Sequence, residues 1–62
     1  MTYYHVEVNT HYGWHLTATF DSEQEAQEYI NQRINDPALH KLFRERAADP
    51  NHTRIKTVKE KN

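Results

Sequence analysis

Residues 20–34 read FDSEQEAQEYINQRI, and this stretch decides the fold. Ser22 followed three residues later by Glu25 forms a capping-box pattern. The serine oxygen can accept from an orphan N–H of a first helical turn while the glutamate reaches back to the cap's own N–H. Ala26, Tyr29, Ile30, Arg33 and Ile34 then recur at helical spacing, so one side of the helix is built to pack and its end falls near Asn35. An apolar residue, Phe20, ends the preceding segment, so the helix must follow directly on a strand.

Upstream, Tyr4, Val6 and Val8 alternate with Tyr3, His5, Glu7 and Asn9, the pattern of a half-buried strand. Trp14, Leu16, Ala18 and Phe20 alternate in the same way with His15, Thr17 and Thr19. Gly13, the single glycine, suits the left-handed last position of a three-residue loop His11-Tyr12-Gly13. That loop places Val8 opposite Leu16, Val6 opposite Ala18 and Tyr4 opposite Phe20 on the core side. Asn9 with His15, Glu7 with Thr17 and His5 with Thr19 fall outside.

Downstream, Asp36-Pro37 reads as the N-cap and first position of a second helix. Its apolar stripe is Leu39, Leu42, Phe43 and Ala47, with Lys41 and Glu45 as an exposed pair. Asp49-Pro50-Asn51-His52 is a run of turn formers, and Thr53–Lys59 is a third strand rich in β-branched residues. Ile55 and Val58 fall on opposite faces of it, which requires either a bulge or an edge position. Lysines at 56, 59 and 61 suit an edge. The expected fold is an α+β, two-layer β-β-α-α-β sandwich: an N-terminal antiparallel hairpin, a C-terminal third strand and helices on one face only. It forms a single small domain over residues 1–62, with fraying at about 60–62.

A chain of 62 residues buries only about 60% of its extended surface, so stability must come from dense packing or from a partner. It contains no cysteine to supply a disulfide or a thiolate metal site. The amino terminus, MTYYHVEV, has neither a basic patch nor a long apolar run, so neither a signal peptide nor a membrane partner is expected and a cytoplasmic location is. The net charge of −1 hides an asymmetry: residues 1–32 carry five acids and no Lys or Arg, whereas residues 33–62 carry eight bases against four acids. Such segregation raises the expectation of a charged partner.

Five histidines invite a metal reading, but the expected hairpin sets His5 and His15 roughly 13 Å apart, too far for one ion with bonds of about 2 Å. No ligand-spacing motif, nucleophile elbow or phosphate loop is present, so no catalytic residue, cofactor, metal or small-molecule substrate is expected, and the chain reads as non-enzymatic. The outer sheet face has nothing in the chain to cover it. Tyr3, His5, Glu7 and His15 on that face, with Tyr12 at the hairpin tip, are the candidate protein-binding residues, the partner being another protein or a second copy of the chain. Compactness suits a bacterial or phage-type accessory factor.

The alternative is a nucleic-acid-binding protein using Arg44, Arg46, Arg54, Lys56 and Lys59, with Lys61, as one basic patch. Thr19–Ala26, TFDSEQEA, resembles the strand-to-helix junction of the small three-stranded DNA-binding domains of plant ethylene-response factors and of the arm-binding ends of some phage integrases. The resemblance implies a sheet that enters the major groove carrying Arg and Trp. It covers eight residues, and the matching strands are expected to present His, Thr and Glu outward in place of arginine.

Overall fold

The computed structural model describes residues 1–60. Two strands, β1 (Thr2–Thr10) and β2 (Gly13–Phe20), are followed by helices α1 (Glu23–Asn35) and α2 (Lys41–Ala48) and by strand β3 (Thr53–Lys59). The sheet is antiparallel in the order β2-β1-β3, so β1 is central and the expected two-layer α+β sandwich is formed. Among the described residues no helix is long and apolar enough to cross a membrane.

The organising segment folds as its sequence dictates. Ser22 Oγ accepts from the Glu25 N–H at 3.2 Å, although the return bond of the capping box is not made. Ala26 and Ile30 are buried against Val6, and Tyr4, Ala18, Phe20, Tyr29, Ile34 and Ile55 close around them. Phe20 and Tyr29 meet as a tilted aromatic pair with centroids 5.4 Å apart, which ties the end of β2 to the middle of α1.

The hairpin departs from expectation by one residue. His11 and Tyr12 alone separate the paired residues Thr10 and Gly13, and Gly13 takes the positive φ of 104°. The Thr10 hydroxyl tightens the turn by accepting from the Tyr12 N–H at 3.2 Å and donating to the Gly13 carbonyl at 3.3 Å. Asn9 therefore pairs with Trp14, Val8 with His15 and Glu7 with Leu16. A shift between Val6 and Glu7 leaves Thr17 as the extra residue and restores the expected pairs Val6–Ala18, His5–Thr19 and Tyr4–Phe20. Because side chains alternate with period two, this bulge reverses the sidedness of β2 on its hairpin side. Trp14 and Leu16 are consequently on the outer face, not in the core, and His15 moves to the helix side.

The segment after α1 is also corrected. Asp36 does not cap a second helix; its Oδ1 accepts from the Ala38 N–H at 2.9 Å and its carbonyl from Leu39 at 3.2 Å, closing a single turn. Once an Asx turn satisfies these groups locally the helix need not continue. His40, in an extended conformation, is the true N-cap of α2, with Nδ1 accepting from the Leu42 N–H at 3.1 Å. The expected stripe does not become core: Ala47 is buried, but Leu42 and Phe43 are 45% and 51% exposed. Lys41 and Glu45 form their pair at 3.9 Å with both side chains largely in water, an arrangement that contributes little.

β3 is an edge strand without a bulge, and this resolves its two-faced pattern: Ile55 packs on the core side and Val58 is half-buried on the outer face. Glu60 is not frayed, since it exchanges backbone bonds with Met1 at 2.9 and 3.5 Å. The remaining expected fraying, and Lys61, lie outside the described residues.

The turn into β3 is held by Asp49, whose Oδ1 accepts from the Asn51 N–H and whose Oδ2 meets His52 Nδ1, both at 2.9 Å. The Asn51 N–H, and after it His52, hold the Asp49 carboxyl below its ordinary value. A carboxyl depressed in the folded state adds stability above about pH 4, where the unfolded group is ionised, and loses it as the pH falls through the folded value. Asp49→Asn keeps the turn acceptor and removes the charge. Urea midpoints of the two proteins should therefore differ at pH 6 and converge by pH 2; a difference that persists at pH 2 would show that the charge is not its source.

Candidate functional site: the uncovered sheet face

Alternation along β1 sends Tyr4, Val6 and Val8 to the helices and Tyr3, His5, Glu7 and Asn9 to the open side. Directly paired residues share a face, so Trp14, Leu16 and Thr19 of β2 and Arg54, Lys56 and Val58 of β3 join them there. Both helices lie on the other layer, and no described residue covers this face. Leu16 is 56% exposed on it, and Tyr3, Trp14 and Val58 are half-buried.

One cluster organises its centre. Arg54 Nε donates to Glu7 Oε1 at 2.9 Å, and the same guanidinium lies 4.0 Å from the Trp14 ring centroid. Arg54 thus reaches from β3 over β1 to β2 and clips the three strands together. Glu7 is left only 13% exposed beneath it, whereas the Arg54 side chain keeps 43% of its surface. Planar stacking and a charge-assisted bond are compatible for guanidinium and not for an ammonium, which is the physical reason for arginine here.

Of the candidate protein-binding residues, Tyr3, His5 and Glu7 share the outer face. Tyr12 stands at the hairpin tip, 91% exposed. His15 is a correction: the bulge puts it beside Val8 on the helix side, so it shares no surface with His5 and Glu7. Trp14 and Leu16, expected in the core, are surface residues, while Val58 is the outward apolar residue that the edge position of β3 requires. The composition of the two strands allows either sidedness, and neither Thr17 nor Ala18 marks where a bulge sits.

The candidate basic residues do not form one patch. Arg54 and Lys56 are on the outer face; Lys59, paired with Thr2, alternates to the other side; Arg44 and Arg46 are on α2. Arg44 is half-buried, with its Nε enclosed and without a hydrogen-bond partner among the described residues. Trp14 and Arg54 do place a tryptophan and an arginine on the open face, but each is engaged by the other. No three of the described His, Asp and Glu side chains come together as a metal-binding group. Comparison with protein-family models, with curated proteins and with solved structures gave no match.

Proposed function

We propose that this chain is a non-enzymatic binding module whose partner is a protein, and that the open sheet face fits a second copy of the chain best. The observation that carries the reading is the bulge at Thr17, which delivers Trp14 and Leu16 to a face already bearing Tyr3 and Val58. Exposed apolar groups gathered on one face favour a macromolecular partner over water. Arg54 is matched by Glu7, which leaves Lys56 as the unmatched Lys or Arg of the face, so two copies meet without strong repulsion. Packing these faces together sends both acidic α1 helices to the outside, far from one another.

The test is sedimentation equilibrium across a concentration series. The wild type should show a concentration-dependent dimer, and Leu16→Asp should weaken it by about tenfold or more by burying an unpaired charge. Leu42→Asp, on the opposite layer, should leave it unchanged. A wild-type protein that stays monomeric throughout the series, or a dimer indifferent to Leu16→Asp, would remove this reading. Nucleic acid is the second reading, favoured by Trp14, Arg54, Lys56 and His5 sharing the face. A short DNA duplex that co-sediments with the protein in a salt-sensitive manner would put it first.

A further inference from the structure

On the other layer, a cleft of about 200 Å³ opens between the hairpin end of β1, the last turns of α1, and α2. Its apolar wall is Val8, Phe43 and Ala47, and its polar side carries Arg33, Arg46 and His52. A second hollow continues from it past Thr10 and His11, sharing Arg46 and His52. No Asp or Glu lines either hollow. Of the nearby carboxylates, Asp49 is spent on the Asn51 N–H and His52 Nδ1, and Asp36, which lines a separate hollow beside Arg33, accepts from the Ala38 N–H and makes no ion pair with Arg33 among the described residues.

The two arginines differ from Arg54 in having no carboxylate. Arg33 donates to the Tyr29 hydroxyl at 3.4 Å and lies over that ring at 5.7 Å, which fixes its position and leaves its charge unmatched among the described residues. The Arg46 guanidinium has no ion pair or hydrogen bond among the described residues, although its backbone carbonyl is held by the Thr53 hydroxyl at 3.0 Å. Phe43, half exposed where the helical stripe calls for core, forms the aromatic rim of the cleft. Two forked cations beside an apolar wall are complementary to an oxyanion joined to a flat apolar group. The volume lies below the approximately 300 Å³ at which drug-sized pockets begin, so the ligand is small.

We infer that this cleft binds a small oxyanion, a phosphate or carboxylate group attached to one apolar ring, with Arg33 and Arg46 on the anion and Phe43 against the ring. The site is separate from the sheet face and stands whether or not that face dimerises.

Phenyl phosphate, benzoate, inorganic phosphate and phenol are the probes, titrated into the full chain while backbone amide resonances are followed by NMR. Phenyl phosphate or benzoate should shift Thr10, Ala47 and Thr53 with a dissociation constant of about 1 mM or tighter. Whichever binds more strongly identifies the anion as phosphate or carboxylate. Inorganic phosphate should bind more weakly, and phenol should not bind. Arg46→Gln should weaken binding by about tenfold while its melting temperature stays that of the wild type, because Arg46 is exposed. Arg33→Gln provides the second loss. The inference is overturned if none of the probes shifts these amides at about 10 mM, if Arg46→Gln binds as well as the wild type, or if the shifts fall on His5 and Lys56 of the opposite face.

Discussion

Ile30→Ala should remove most of the stability of this protein, about 3 kcal/mol, and lower its melting temperature by about 15 °C or more. Ile30 is 7% exposed and shares the buried centre with only Val6 and Ala26. A single core in a chain of this length rarely supplies more than about 3–5 kcal/mol in total, so the loss of three methyl or methylene groups at its centre is close to the whole margin. Neighbours are poorly placed to refill the space: Ala26 is too small, and Ile34 and Ile55 are already packed against the cluster. Leu42→Ala is the control, since Leu42 is exposed on α2 and should change stability by no more than about 0.5 kcal/mol. Chemical denaturation of the three proteins measures both effects. A loss below about 1 kcal/mol at Ile30 would mean that the stability resides elsewhere.

Arg54→Ala should be the most damaging substitution on the open face, lowering stability by about 1–2 kcal/mol. The figure is set below that for a fully buried pair because 43% of the arginine side chain is in water. It is set above that for an ordinary surface pair because Glu7, only 13% exposed, would be left without its donor. A double-mutant cycle between Glu7→Ala and Arg54→Ala should return a coupling of about 1 kcal/mol, and a coupling near zero would count against the clip. Trp14, the single tryptophan, reports the same event by fluorescence. Its emission should move to the red as Arg54→Ala uncovers the ring. Arg54→Lys should restore part of the stability but not the emission, because an ammonium does not stack as a guanidinium does.

Much of the chain was legible residue by residue. Ser22 caps α1, Ala26 and Ile30 face the sheet, and Gly13 takes the positive φ of the hairpin, each because a short-range requirement leaves few residue types able to meet it. Thr53–Lys59 carries its lysines and its outward Val58 because it lies at an edge. Asp36-Pro37 was harder, since the same pair opens a helix or closes a turn, and only the extended backbone at His40 separates the two. The candidate site is half legible: the alternation of β1 places Tyr3, His5 and Glu7, whereas the alternation of β2 points Trp14 and Leu16 into the core until the bulge at Thr17 reverses it.

The sequence by itself determined the order of the elements, the face that α1 buries and the existence of an uncovered side to the sheet. These rest on local periodicity, capping and turn chemistry, and on having only two helices to cover one layer. The tertiary structure alone decided that β1 is central, that the hairpin loop is one residue shorter, and that a bulge at Thr17 turns Trp14 and Leu16 outward. It also decided that Arg54 spends its charge on Glu7 while Arg33 and Arg46 face a cleft without a carboxylate. The physical reason is common to all of these. Which side a strand residue faces depends on a count of pairs across two strands, and which charge meets which depends on how the strands are ordered. Both are set between distant parts of the chain.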